Sequence, residues 1–128
     1  MVKFIGRINR SQVNELYGSA RAGICIYQPA ENHFEAQPIK MFEFMAAGLP
    51  VVASNFPLWK HILEAAQCGV CVDPQDSAEV KKACETLLFN PSEAEAMGEN
   101  GRRAVEEEFN WGVEEKKLLK LYEVILSE

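Results

Sequence analysis

Short apolar runs separated by helix-length stretches recur along this chain, and that alternation restricts it to repeated βα units around a parallel sheet. The runs are Val2 to Ile5, Ala22 to Tyr27, Leu49 to Ser54 and Gly69 to Val72. Breakers mark their ends: Gly6 closes the first, Pro57 follows the third, and Asp73-Pro74 closes the fourth. The expected fold is therefore α/β, a partial Rossmann-like domain of about four parallel strands flanked by helices, with a helical C-terminal tail.

Helix signals fall between these runs. Ser11 is a candidate cap for a helix carrying Val13, Leu16 and Tyr17 on one face. Pro38 stands where a first-turn proline belongs, opening a helix from Ile39 to Ala47 that Gly48 ends. Pro57 opens another, to about Ala66. Asp76-x-x-Glu79 and Ser92-x-x-Glu95 both have capping-box form. A last helix starts near Trp111 and places Leu118, Leu119, Tyr122, Ile125 and Leu126 on an apolar stripe.

Composition removes several classes of function. At 128 residues and 48% apolar, the chain is one domain with enough Val, Ile, Leu, Met and Phe for a core. Thirteen basic against nineteen acidic side chains give a charge of −6 without a basic stripe, which argues against nucleic acid as a partner. No apolar window reaches the length of a transmembrane helix, and the first residues do not have the basic-then-apolar pattern of a signal peptide. Cys68-x-x-Cys71 has metal-like spacing, but no second pair completes four ligands. It lies in a strand-like run and reads as structural free thiols of a reducing cytoplasm. Trp59 and Trp111 read as packing residues, and His61 as a surface residue. His33, Ser54 and Asn55 lie in segments that could reach a ligand.

The stretch that carries chemistry runs from Glu35 to Gly48. Lys40 and Glu43 are the only charged residues of an otherwise apolar helix, and a carboxylate on a buried helix is costly unless paired. One reading is an i,i+3 ion pair between them. The other is that both face a polar ligand beyond the carboxyl ends of the strands, where open α/β sheets bind ligands. The first-turn N–H groups of this helix suit a diphosphate. Glu43, about 6–8 Å further along the axis, could accept from two vicinal ribose hydroxyls. Glu35, just before the helix, could meet the hydroxyls of a sugar.

The spacing Glu35-x7-Glu43 with Met45-Ala-Ala-Gly-Leu-Pro-Val-Val-Ala-Ser54 resembles retaining glycosyltransferases of family 4, which have the GT-B fold. Phe4-Ile5-Gly6, Glu15-Leu16-Tyr17-x-x-Ala20 and Gly69-x-x-Val72-Asp73-Pro74 fit the same pattern in order. So do Met97-Gly98-x-Asn100-Gly101-Arg102 and Phe109-Asn110-Trp111. At Ala36-Gln37-Pro38 the chain departs from the Gly-Phe-Gly common in the family.

The resemblance implies that residues 1–128 form the C-terminal, nucleotide-sugar-binding portion of such an enzyme. Glu43 would bind the ribose, and Glu35 would touch the donor sugar and stabilise the transition state as the catalytic carboxylate. The backbone at Pro38, Ile39 and Lys40 would lie near the diphosphate, and the turn Gly6-Arg7-Ile8 would line the base pocket. Transfer would retain anomeric configuration and need neither metal nor cofactor. The acceptor would be a cell-surface polysaccharide, lipopolysaccharide or glycolipid, and the parent a cytoplasmic protein, peripherally associated with the inner face of the membrane. An N-terminal acceptor domain and the family's phosphate-binding Arg and Lys would lie upstream of Val2, so this chain alone is expected to be inactive. Two strands of the full domain would also lie upstream, between those matching Val2 to Ile5 and Ala22 to Tyr27. Their absence implies a homodimer completing the sheet or a shifted first strand. A nucleotide-sugar 2-epimerase of the same fold, or a non-catalytic binding or assembly module, would share many of these features.

Overall fold

The computed structural model describes residues 1–127 and has alternating helices and strands. In chain order these are α1 (Arg10–Ser19), β1 (Gly23–Cys25), α2 (Glu31–Phe34), α3 (Ile39–Ala46) and β2 (Val51–Ser54). Then follow α4 (Pro57–Ala66), β3 (Gly69–Val72), α5 (Ser77–Phe89), α6 (Pro91–Glu107) and α7 (Trp111–Leu126). The strands form one parallel sheet in the order β1-β2-β3, with Gly23 opposite Val51 and Val52 opposite Val70.

The central strand explains the two-sided core. All four residues of β2 are buried, as expected for a parallel strand covered on both faces. Val51 and Ala53 join Met41 and Met45 of α3 and Trp59 and Leu63 of α4. Val52 points the other way, to Val72, Ala83 and Leu87 of α5, and Ala94 of α6. Successive residues of a strand face opposite sides, so one apolar run serves both layers.

Three of the four apolar runs are strands of the sheet. The first is not: Val2 to Ile5 has no regular structure and its side chains are exposed. A strand is held by hydrogen bonds to a neighbour, and among the described residues no strand lies beside this one. The first strand has neither joined the sheet nor shifted onto it. The outer edge of β1 is consequently unpaired, and Ile24 at its middle is 56% exposed.

Side-chain caps fix the starts of α1, α5 and α7. Asn9, not Ser11, caps α1: its side chain accepts from Gln12 N, and the Gln12 side chain accepts from Asn9 N, a reciprocal box. Pro38 is the cap residue of α3 rather than its first turn. Asp76 caps α5 by accepting from Ala78 and Glu79 N–H, as its sequence implies. Ser92 does not cap α6, because Pro91 already occupies its first position. Asn110 caps α7. That last helix buries none of its residues, and Trp111 is 68% exposed rather than packed. Among the described residues no helix is long and apolar enough to cross a membrane.

Candidate functional site

Glu43 lies in the second turn of α3, opposite the Met41 and Met45 face that anchors the helix to the sheet. Its carboxylate is 24% exposed and has three partners. The Tyr17 hydroxyl donates to Oε2 at 2.9 Å, Arg10 donates to Oε1 at 3.1 Å, and Lys40 Nζ lies 3.8 Å from Oε2. The i,i+3 pair expected from the sequence is present, but it is the longest of the three contacts. Arg10 and Tyr17 are the residues the sequence did not reveal. They come from α1, 33 and 26 positions away, and only the placement of Tyr17 on the apolar face of α1 hinted at its direction.

These contacts set the ionisation of the site. The Tyr17 hydrogen bond, and after it the Arg10 guanidinium, hold the Glu43 carboxyl below the usual carboxylate range despite the opposing effect of partial burial. Burial, the hydrogen bond to Glu43 and its negative charge raise the Tyr17 phenol, so it stays protonated and keeps donating. Glu43 is thus an anion whose oxygens can only accept.

Beside this cluster, a groove of about 470 Å³ runs between α1, the open edge of β1 and α3. Ile8, Leu16 and Tyr17 form one wall, Ile24 and Tyr27 the floor, and Lys40 and Phe44 the other wall. Its apolar lining and its charged flank suit a flat, partly polar ligand. At the α3 N-terminus, Pro38 offers no side-chain cap, and the N–H groups of Ile39 and Lys40 meet no acceptor among the described residues. Such free donors at the positive end of a helix favour an anion.

The structure gathers Glu43, Lys40, Ile39, Pro38 and Ile8 around α3 and the groove. Gly6 turns the chain at φ +70, and it and Arg7 remain exposed. Glu35 is not drawn into the Glu43 cluster: it ends α2, exposed, and forms no ion pair among the described residues. Ser54 is not free for a ligand either, since its buried hydroxyl bridges Tyr27 N and Tyr27 O, tying β1 to β2. His33 is bonded through Nδ1 to Gln28 O, and Trp59 Nε1 donates to Ala36 O, so the loop between β1 and α3 is held at two points. Cys25, Cys68 and Cys71 are free, and burial pushes each thiol up to about 11, which leaves them inert at neutral pH.

Comparison with known proteins places this geometry in context. A family model described as glycosyl transferases group 1 matches residues 1–104. A phosphatidyl-myo-inositol mannosyltransferase of Mycobacterium leprae is 33% identical over 93 residues, 73% of this chain and 25% of that protein. Spore coat protein SA of Bacillus subtilis is 28% identical over 95% of this chain and 32% of that protein. The structure of a sucrose-phosphate synthase from Thermosynechococcus elongatus superposes with a TM-score of 0.80 at 28% identity, covering 98% of this chain and 30% of the synthase. The chain thus spans about a quarter to a third of the proteins it resembles.

Proposed function

The chain belongs to the group 1 glycosyl transferases, and on that premise we propose that it forms the donor-binding part, residues 1–128, of a retaining, family 4 sugar-transfer enzyme of GT-B fold. The observation that carries the reading is the ionised Glu43, flanked by Arg10 and Lys40 beside an open groove and one turn from unpaired helix amides.

Each group has a role suited to a nucleotide-sugar. Glu43 accepts from the vicinal hydroxyls of the ribose. The amides of Ile39 and Lys40 meet the diphosphate, with the Lys40 ammonium adding charge. Pro38 has no N–H to give, but fixes the entry to the helix. Ile8, following Gly6 and Arg7, lies against the base. Glu35 faces the donor sugar from the loop and is the candidate catalytic carboxylate. Departure of a diphosphate is assisted by such fixed donors and cations, so the reading calls for no metal or other cofactor.

The acceptor domain belongs to the rest of the parent, and this chain alone has no transferase activity, because catalysis in a cleft needs both walls. The resemblance to a protein named for mannosyl transfer to a phosphatidylinositol fits a glycolipid, lipopolysaccharide or polysaccharide acceptor and a cytoplasmic parent working at the membrane face. The unpaired β1 edge also supports a homodimer that extends the sheet. Light scattering should then give twice the 14.4 kDa chain mass, and a monomer at all concentrations would refute the dimer.

Thermal shift with UDP, GDP and their common sugar conjugates tests the main reading. A ligand at about 100 times its Kd should add roughly 2.7 kcal/mol of stability. The shift should survive EDTA and disappear in Glu43→Ala. A parent enzyme that stays fully active as Glu43→Ala would overturn the assignment.

A further inference from the structure

The two oxygens of Glu43 are held in unlike ways. Oε2 accepts from Tyr17, whose half-buried ring packs edge-on to Phe44 at 5.6 Å and 72°. The helix that carries the ring is pinned at its start by the Asn9–Gln12 box. Oε1 accepts from Arg10, whose side chain is 65% exposed and sits in the first turn of the same helix. A well-packed aromatic ring has little freedom to leave. An exposed guanidinium exchanges readily with water, and its ion pair contributes little.

We propose that Tyr17 is a positioning residue for Glu43, its hydroxyl fixing one carboxylate oxygen while Arg10 holds the other only until a ligand hydroxyl replaces it. The proposal rests on the donor-binding reading for the identity of that hydroxyl, a ribose hydroxyl of the donor. The carboxylate is thereby kept in one rotamer, beside the Tyr17 and Lys40 side chains of the groove walls, before any ligand arrives. Preorganisation of this kind lowers the ordering cost of binding. One diol hydroxyl takes the place of Arg10 on Oε1, and the other uses the remaining lone pair of Oε2 beside Tyr17. The displaced guanidinium starts 3.1 Å from Glu43, itself about one helical turn from the free amides of α3, and is available to a diphosphate held there.

The ionisable groups facing Glu43 are Tyr17 and Arg10 from α1 and Lys40 from α3, with the buried Cys25 thiol of β1 across the groove. Tyr17→Phe keeps the ring and its Phe44 contact while deleting only the hydroxyl. Carboxyl NMR titration of the unliganded chain should show Glu43 protonating at higher pH in Tyr17→Phe than in wild type. Because only the ionised Glu43 accepts on both oxygens, its diol binding weakens as pH falls through its pKa, and in the variant that loss should begin at higher pH. Binding of UDP or GDP, whichever the wild type takes, should weaken about tenfold at neutral pH. Arg10→Gln should leave affinity for the matching nucleoside, uridine or guanosine, equal or improved, since no diphosphate is present to need the cation. Melting temperature should fall by only a few degrees in Tyr17→Phe, the linked cost of one hydrogen bond to an ionised carboxylate. An unaltered Glu43 titration, or wild-type nucleotide affinity in Tyr17→Phe, overturns the proposal and leaves donor binding standing. If neither the wild-type chain nor its parent binds any nucleotide, donor binding fails, while the titration still decides whether Tyr17 holds the carboxylate.

Discussion

Trp59→Ala should destabilise the chain by about 3–5 kcal/mol, the range for removing a fully buried large aromatic. Trp59 is 1% exposed and packs against Phe56 at 4.8 Å and Tyr27 at 5.4 Å. It therefore joins α4 to the end of β1 and to the strand-exit segment after β2. Its indole N–H also donates to the carbonyl of Ala36, at the start of the segment leading to α3. Trp59→Phe separates the two contributions. The edge-on ring contacts remain, and the lost hydrogen bond should cost only about 1 kcal/mol, because Ala36 is exposed and water can replace the donor. The loop carrying Glu35 should nevertheless be nicked faster by protease in Trp59→Phe. Urea unfolding followed by circular dichroism, paired with limited proteolysis, checks both. A cost under about 1 kcal/mol for Trp59→Ala would mean that the aromatic cluster does not hold the loop.

What the sequence revealed follows from the range over which each signal acts. Pro57, Gly48 and Asp76 act within four residues, and the helices they bound lie where those residues place them. The cap of α1 lies two residues before the expected Ser11, because Asn9 and Gln12 bond reciprocally, which outcompetes a lone hydroxyl. Val2 to Ile5 has a strand's composition but lacks a partner, and composition cannot supply one. Trp111 departs from the packing expected of it for a similar reason: an aromatic residue packs only where another element lies beside it, and α7 buries none of its residues. In the candidate site, Lys40 and Glu43 were legible because they share a helix. Arg10 and Tyr17 were not, since their approach depends on how α1 docks on α3. Ser54 was legible as a strand end, but its bridge to Tyr27 depends on the pairing of β1 with β2.

Gly98→Ala should cost at least about 2 kcal/mol, opposite in sign to what helix propensity alone would give. Alanine is favoured over glycine by about 1 kcal/mol in a helix interior, and Gly98 is in the middle of α6. A Cβ at Gly98, however, would run into the carbonyl oxygen of Gly48. That carbonyl cannot swing aside easily: Gly48 sits at φ +74, its N–H donates to Met45 O at 3.0 Å, and the chain enters β2 three residues later. Overpacking against fixed backbone costs roughly 1–3 kcal/mol or more, and it wins over propensity. Gly101, one turn on, would place its Cβ 3.1 Å from the Cys68 side chain and 3.4 Å from Met45. Side chains can yield by a few tenths of an ångström, so Gly101→Ala should cost less, under about 1 kcal/mol. The Gly98-x-x-Gly101 spacing thus lets α6 lie close against the end of α3, on the side away from the groove. Forcing the two apart should move the helix that carries Glu43, so Gly98→Ala should weaken nucleotide binding as well as stability. Equilibrium urea unfolding of the two variants decides it, and a neutral or stabilised Gly98→Ala would show that α6 does not set the position of α3.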